Sequence, residues 1–222
     1  MSTALRTAYQ LMRDRNGHQG WWPGETPFEI CVGAILTQNT NWTNVEKAIE
    51  NLKEAKALDL IVVHRLPNAD LAELIRPAGY YNLKAARLKS FVNAIASQFD
   101  LRLEKLLNLS SGTLRKTLLE INGIGPETAD SIILYAAQQT SFVVDAYTKR
   151  IFSRHHWIKE AASYDDVKTL CEQNLIAPCD QSLLDHWQDY HAQLVAVGKD
   201  YCRPRSPRCQ ECPLQPLLPS TD

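Results

Sequence analysis

Residues 118–129 decide the fold, and they read Leu118-Leu119-Glu120-Ile121-Asn122-Gly123-Ile124-Gly125-Pro126-Glu127-Thr128-Ala129. Gly123 and Gly125 stand two apart, so the chain can turn sharply between two amphipathic helices and leave backbone N–H groups exposed. Pro126 favours the first turn of the second helix. Bare N–H groups beside a helix N-terminus bind phosphate without a basic side chain, and the alternative interpretation is a plain helix–turn–helix corner.

Helical periodicity also dominates the rest of the chain. The 222 residues are 45% hydrophobic and 22% charged, an ordinary globular composition that excludes disorder and collagen-like repeats. Thr26-Pro27-Phe28-Glu29 predicts a capping box that opens a buried helix through residues 30–36. Apolar residues recur at helical spacing at Val45, Ala48, Ile49 and Leu52, and again at Leu83, Ala86, Phe91, Val92 and Ile95. We therefore predict an all-α protein of about ten helices.

The charge balance limits the choice of partners. With 24 Lys+Arg against 25 Asp+Glu, the chain is not basic overall, which argues mildly against a general nucleic-acid coat protein. A local basic patch near the C-terminus consists of Lys199, Arg203, Arg205 and Arg208. It suits DNA phosphates, and the alternative is a solvated basic tail. The apolar stretches fall short of the about 20 residues that a membrane span needs, and residues 1–15 do not form a secretory signal. We expect a soluble, cytoplasmic monomer that does not contact a membrane.

Asp145 is the candidate catalytic residue. It follows the apolar residues 142–144 and precedes a helical stretch, which is an N-cap position, and capping is its simplest interpretation. After a phosphate-binding hairpin the carboxylate has a second use. Near C1′ of a captured nucleotide it would stabilise the oxocarbenium-like charge of a breaking N-glycosidic bond and orient the attacking water.

Several ordered motifs together resemble one family, the helix-hairpin-helix (HhH-GPD) DNA glycosylases of the endonuclease III superfamily. They are the hairpin at 119–129, Asp145 with Arg150, Leu36-Thr37-Gln38-Asn39-Thr40, Gly79-Tyr80-Tyr81-Asn82 and Cys202-x6-Cys209-x2-Cys212. The likeness is greatest to the monofunctional bacterial 3-methyladenine DNA glycosylases. It implies one glycosylase unit over 1–222, built as two helical lobes with a DNA-binding cleft. The central lobe is expected at about 27–135, the second lobe at 1–26 plus about 136–200, and a cysteine-bearing basic loop and tail at 199–222.

The resemblance implies that the partner is damaged double-stranded DNA. The residues expected to bind it are Gln38, Tyr81, Asn82, Gly123, Gly125, Glu127, Arg203, Arg205 and Arg208. Gln38 would fill the gap left by a flipped base, and its alternative role is to cap the buried helix. Tyr81 or Asn82 would wedge the opposite strand, and the alternative is an ordinary turn.

A base pocket is implied at four aromatic residues, Trp21, Trp22, Trp42 and Tyr147. Trp21 (or Trp22) and Trp42 would sandwich the flipped base, whereas the alternative for each tryptophan is packing in a core. Because 3-methyladenine is cationic, stacked indoles attract it more strongly than a neutral base. Its glycosidic bond is already weakened, so Asp145 would suffice without a general acid.

Glu127 departs from the bifunctional members of the family, which carry at this position a lysine that attacks C1′. A carboxylate cannot form an imine, and Lys116 and Lys149 occupy other positions. We therefore predict a monofunctional glycosylase of base excision repair, in which water assisted by Asp145 removes an alkylated purine and leaves an abasic site. The alternative role of Glu127 is to complement the helix dipole. The alternative functions are an endonuclease III-like glycosylase for oxidised or mismatched pyrimidines, such as uracil or thymine opposite guanine, and a non-catalytic DNA-binding module.

The cysteine loop leaves the cofactor open. Cys202, Cys209 and Cys212 match three of the four thiolates that hold a [4Fe–4S] cluster in this family, and the fourth position is Leu218. Three outcomes remain: a cluster with a non-cysteine fourth ligand, a zinc ion bound by the three thiolates and His191 or another group, or no metal. Two other cysteines, Cys171 and Cys179, are candidates for folding back onto the loop. His155 and His156 show no ligand spacing and are expected to be surface or packing residues.

Overall fold

The structure is a computed structural model that describes residues 1–219; residues 220–222, the end of the expected tail, lie outside the described part of the chain. Residues 1–219 contain twelve α-helices and no strand, which confirms the all-α prediction. The helices are α1 (Ser2–Asn16), α2 (Pro27–Leu36), α3 (Trp42–Glu54), α4 (Leu60–Arg65), α5 (Asn68–Leu74), α6 (Tyr81–Phe99), α7 (Leu103–Leu107), α8 (Ser111–Leu119), α9 (Pro126–Ser131), α10 (Ala146–Arg154), α11 (Tyr164–Asn174) and α12 (Leu183–Asp200). A π-helical segment, Ile132–Ala136, continues α9, and short 3₁₀ turns lie at Arg76–Ala78, Cys209–Glu211 and Gln215–Leu217. None of the described helices is both long and apolar enough to span a bilayer.

The chain divides into two compact units. The interior unit runs from Pro23 to Gln139, and the terminal unit combines residues 1–22 with the chain from Thr140 onward. Each boundary lies a few residues from the position expected from the sequence. The cysteine loop, expected as a separate segment, belongs to the terminal unit.

The buried helix α2 forms the centre of the interior unit. Eight of its ten residues are buried, and α3, α6 and α9 pack around it, because a helix that is apolar on every side must be covered on every side. Thr26 caps the helix by accepting a hydrogen bond from the Glu29 backbone N–H at 3.1 Å. The reciprocal half of the predicted capping box is wrong: the Glu29 carboxylate accepts from the Glu25 N–H at 3.2 Å and pairs with Lys53 at 2.9 Å.

Helix α6 has a different buried face at its start from the one predicted. Leu83 is 50% exposed and Ala86 is exposed, whereas Lys84 and Ala85 are buried. The Lys84 ammonium donates to the Ala78 carbonyl at 2.7 Å, and burial lowers the pKa of this lysine to about 8. A lysine can be buried here because its charged end satisfies a carbonyl at the end of a 3₁₀ turn. The apolar side chain of Leu83 in the first turn of α6 therefore faces solvent, which the amphipathic pattern alone does not predict.

Helix α12 is the centre of the terminal unit, and both α1 and α10 pack against it. Tyr190 of α12 stacks on Tyr9 of α1 at 5.4 Å, and its hydroxyl donates to the Leu5 carbonyl at 3.0 Å. The Tyr9 hydroxyl in turn donates to the buried Asp189 carboxylate at 2.7 Å. These contacts fix the rotation of α12, and with it the side chains that α12 presents to the N-terminus of α10.

Candidate active site and DNA-contacting segments

Asp145 lies at the N-cap of α10, as the sequence predicts. Its Oδ1 accepts from the Thr148 backbone N–H at 2.7 Å and from the Thr148 hydroxyl at 2.9 Å. The residue is only 9% exposed. Two donors on one oxygen hold the carboxylate in a single orientation, so the cap also fixes the direction of the second oxygen.

His191 of α12 meets that second oxygen. Its Nε2 lies 3.5 Å from Asp145 Oδ2, and both residues are buried. Burial opposes ionisation of Asp145, but the contact with His191 and the hydrogen bonds from Thr148 outweigh burial and lower the pKa of the carboxyl. Asp145 is therefore an anion at neutral pH, although it is almost completely removed from water.

Trp21 extends this pair to an aromatic surface. Its ring lies 5.6 Å from the His191 ring at an interplanar angle of 36°, and 5.1 Å from the Trp22 ring. Both tryptophans are partly exposed. The terminal unit thus brings together Asp145, His191 and Trp21, which are far apart in the sequence. The sequence suggests His191 only as a zinc ligand, and no local spacing signals its place beside Asp145.

The other two pocket candidates are placed differently. Tyr147 packs its ring against Gly198, where an added Cβ would come within 2.3 Å of the ring, and the Arg150 guanidinium lies over the ring at 5.2 Å from its centroid. Burial, with a smaller contribution from the charge of Asp145, raises the pKa of Tyr147. Trp42 belongs to the interior unit, where it is the first residue of α3 and packs half-buried against the core.

The glycine turn of residues 118–129 is formed between α8 and α9. Gly123 has φ +90°, a conformation that favours glycine, and a Cβ there would lie 2.3 Å from Cγ of Arg87. Gly125 has φ −94° and open space around it, so its need for glycine is not steric. Arg87 of α6 therefore packs directly against Gly123 in the turn. No motif in the sequence indicates this residue.

Gln38, two residues after the end of α2, connects α2 to this turn. Its Nε2 donates to the Gly123 carbonyl at 3.1 Å and to the Thr128 hydroxyl at 2.9 Å, and its Oε1 accepts from Arg87. In this conformation the amide is a bridge between segments of the interior unit. For Gln38 to enter a DNA stack, as the sequence predicts, it must give up these hydrogen bonds.

The turn at residues 79–82, predicted to contact DNA, exposes a different tyrosine from the one expected. Tyr81 is half-buried against the core with the Arg76 guanidinium 5.6 Å from its ring centroid, whereas Asn82 is exposed. Tyr80 adopts a left-handed conformation with φ +47° and is 72% exposed. Because Tyr80 is exposed and Tyr81 packs on the core, Tyr80 is the aromatic side chain that this turn presents to solvent.

Three side chains lie at or near the sequence position where bifunctional members of the family carry a lysine. Glu127 lies exposed in the first turn of α9. Lys149 follows Asp145 in the sequence, but its ammonium donates to the Ala162 carbonyl at 3.2 Å. Lys116 is exposed on α8, in the interior unit. The lysines closest in sequence to the two motifs are thus directed to other contacts or to solvent.

The three loop cysteines line one cavity of the terminal unit, whose empty volume, including space open to solvent, is about 330 Å³. Burial raises the pKa of the Cys212 thiol, and the nearby Cys202 and Cys209 raise it further. Leu218, at the place of the missing fourth cysteine, also lines the cavity. Cys171, which is buried in α11, and Cys179, which is exposed, do not line it.

Zinc coordination by His191 is wrong, because His191 lies beside Asp145 and does not line the cysteine cavity. Among residues 1–219 no group of three or more His, Cys, Asp or Glu side chains is arranged to hold a single metal ion. His155, expected as a surface or packing residue, does line the cavity and is 7% exposed, while His156 is exposed. Burial lowers the pKa of His155.

The basic patch divides into free and engaged side chains. Lys199, Arg203 and Arg205 are exposed. Arg208 is also exposed, but its Nε donates to the Glu211 carboxylate at 3.1 Å and its guanidinium lies 5.9 Å from the Tyr201 ring centroid. Within this patch, Arg203 and Arg205 are therefore better placed than Arg208 to bind a phosphate without first losing an internal contact.

Comparison with known proteins identifies the family of the chain. Residues 32–176 match the HhH-GPD superfamily base excision DNA repair protein family. A Methanocaldococcus jannaschii protein, provisionally named as a DNA repair glycosylase, is 48% identical over 209 residues, covering 93% of this chain and 92% of its own. Endonuclease III of Thermotoga maritima is 26% identical over 186 residues, covering 84% of this chain and 79% of its own.

Solved structures show the same fold. The H. pylori 3-methyladenine DNA glycosylase bound to 1,N6-ethenoadenine superposes with a TM-score of 0.74 at 30% identity, covering 89% of this chain and 95% of that one. A non-covalent endonuclease III–DNA complex superposes with a TM-score of 0.81 at 20% identity, covering 98% and 95% of the two chains. The chain therefore belongs to the HhH-GPD superfamily of base excision DNA repair proteins, and it is a DNA glycosylase.

Proposed function

We propose that this glycosylase is monofunctional and removes an alkylated purine such as 3-methyladenine from damaged double-stranded DNA. The observation that carries the proposal is the group formed by Asp145, His191 and Trp21, which places a buried anion beside an aromatic surface. The similarity to the H. pylori enzyme, whose structure contains an ethenoadenine base, supports an alkylated purine as the substrate.

The state of Asp145 suits hydrolysis of an N-glycosidic bond. As the bond to the base breaks, positive charge develops on C1′ and the ring oxygen, and a buried carboxylate stabilises that charge. The lowered pKa keeps Asp145 ionised at neutral pH. Because Thr148 saturates Oδ1, Oδ2 is the oxygen left to orient a water molecule, and His191 fixes its position.

The partly exposed indole of Trp21 suits recognition of a cationic base. A 3-methylated adenine carries positive charge, and an indole face attracts a cation with about 0.5–2 kcal/mol, depending on how well water is excluded. The alkylated base is also a good leaving group, so the site needs no acid to protonate it.

The product is expected to be an intact strand with an abasic site. The family position of the imine-forming lysine holds Glu127, and Lys149 is bound to the Ala162 carbonyl. Without an amine that attacks C1′, no Schiff base forms and the sugar–phosphate chain is not cleaved by elimination.

The test is a panel of duplexes analysed with and without alkali. DNA treated with a methylating agent, a duplex with ethenoadenine and duplexes with uracil or thymine opposite guanine are each incubated with the pure protein. We expect release of 3-methyladenine, and strand breaks on the substrate oligonucleotides only after alkali. If uracil or thymine is excised in preference to the methylated base, the proposed substrate is wrong. Strand breaks without alkali would overturn the monofunctional mechanism.

A further inference from the structure

A fourth potential iron ligand lies where the sequence pattern has none. The cavity lined by Cys202, Cys209 and Cys212 is also lined by His155, the residue that directly follows the end of α10 at Arg154. The other lining residues include Leu218, which has no ligating atom. Imidazole is an ordinary ligand for iron, and it replaces thiolate on iron in one known class of iron–sulfur centre.

The tautomer of His155 is set by its contact with the segment that replaces the fourth cysteine. Its Nδ1 lies 3.1 Å from the Leu217 carbonyl oxygen, which can only accept, so Nδ1 carries the hydrogen. Nε2 then keeps its lone pair. Histidines that bind metals are held in the same way, with one nitrogen donating to a carbonyl and the other coordinating. The Trp157 ring stacks on the imidazole at 4.8 Å and restricts its rotation.

The loop is also held in place by α10, which carries His155 at its end. Arg150 donates to the Cys202 carbonyl at 2.6 Å and to the Gly198 carbonyl at 3.0 Å. Arg154 donates to the Cys202 Sγ at 3.3 Å and to the Arg203 carbonyl at 2.7 Å. These two arginines thus connect α10 to the loop within the terminal unit.

The donor set of the cavity fits a cluster better than a single ion. One metal ion needs all its ligands around one point, and the described side chains offer no such group. A [4Fe–4S] cluster instead presents four irons at separate corners and takes one protein ligand at each. When bound, the cluster would cross-link the four ligands and stabilise the basic loop.

We propose that this chain binds a [4Fe–4S] cluster through Cys202, Cys209, Cys212 and His155, with His155 in place of the family's fourth cysteine. The proposal does not depend on the substrate of the glycosylase. It requires that three thiolates alone hold fewer irons than the wild-type site.

The experiment compares the wild-type chain with His155→Ala, His155→Cys and the matched control His156→Ala, which removes the exposed neighbouring imidazole. Each is produced anaerobically with iron and sulfide, and iron, sulfide and zinc are counted per chain. Wild type, H156A and H155C are expected to hold about four irons and four sulfides, as a complete cluster requires. H155A is expected to hold about three irons, the number that three thiolates can retain, and to show the EPR signal of an oxidised three-iron cluster.

Two further measurements separate a ligand from a structural residue. In an EPR-active state of the cluster, wild type prepared with ¹⁵N-labelled histidine should show a nitrogen coupling to the iron spins that H155C lacks. The double variant H155A/L218C restores the family's fourth thiolate and should recover about four irons, which shows that the cavity still folds. The proposal is overturned if wild type binds zinc without sulfide or no metal, or if H155A keeps four irons with the nitrogen coupling unchanged.

Discussion

Replacing Asp145 by Asn tests the catalytic assignment while preserving the helix cap. The asparagine oxygen still accepts both hydrogen bonds that Thr148 donates to Oδ1, and Asn and Asp cap helices about equally well. We therefore expect the free energy of unfolding to change by less than about 1 kcal/mol. What the variant loses is the negative charge beside C1′.

The size of the kinetic effect follows from the burial of the carboxylate. Asp145 is 9% exposed, so an effective dielectric constant well below that of water applies. A unit charge about 4 Å from the developing cation, at an effective dielectric constant of about 20, contributes about 4 kcal/mol. The chemical step should then slow by about 10³-fold, because each 1.36 kcal/mol corresponds to about a factor of ten.

The assay is single-turnover release of methylated base from DNA treated with a methylating agent. The control is Asp166→Asn, which removes an exposed carboxylate from the capping box of α11 and makes the same change in net charge. We expect the control to react at the wild-type rate. A folded D145N enzyme that loses less than about tenfold would refute the electrostatic role of Asp145.

Three further predictions concern other parts of the chain. His191→Gln removes a group that lowers the pKa of the catalytic carboxyl, so that pKa rises and the acidic limb of the plot of kcat/KM against pH should move to higher pH; an unmoved limb would assign His191 to packing alone. Gly123→Ala should destabilise the protein by about 1–3 kcal/mol in thermal or urea unfolding, because its φ is +90° and its Cβ would meet the α6 arginine, whereas Gly125→Ala, with open space and φ −94°, should cost less than about 1 kcal/mol. Arg205→Ala should reduce the salt slope of DNA binding by about one, and Arg208→Ala should reduce it less because Glu211 already pairs with it; equal slopes for wild type and R205A would leave the patch a solvated tail.

The helices themselves are mostly predictable from the sequence. Neighbouring residues predict the glycine turn, the start of α2 at Pro27 and the N-cap at Asp145, and the structure has each of them. Such features depend on the dihedral preferences of a few residues and on hydrogen bonds within one turn, so tertiary contacts have little influence on them. Where a tertiary contact does intervene, the pattern fails, as at Lys84, which is buried because the Ala78 carbonyl accepts from it.

The turn at residues 79–82 is another place where the sequence pattern alone does not predict which side chain is exposed. Tyr80 and Tyr81 are adjacent and identical in type, so no sequence pattern separates them. Only the left-handed conformation of Tyr80, together with the packing of Tyr81 on the core, decides which ring is 72% exposed.

From the sequence alone one can predict the all-α fold, the family and the N-cap carboxylate of Asp145, because each rests on short motifs whose own residues are neighbours in the chain. The tertiary structure alone decided that His191 lies beside Asp145, that Arg87 and Gln38 hold the glycine turn, and that His155 lines the cysteine cavity. These pairs join residues from different helices. Their contacts arise when helices pack and bury their faces against one another, and that packing depends on the whole core, so no spacing along the chain encodes it.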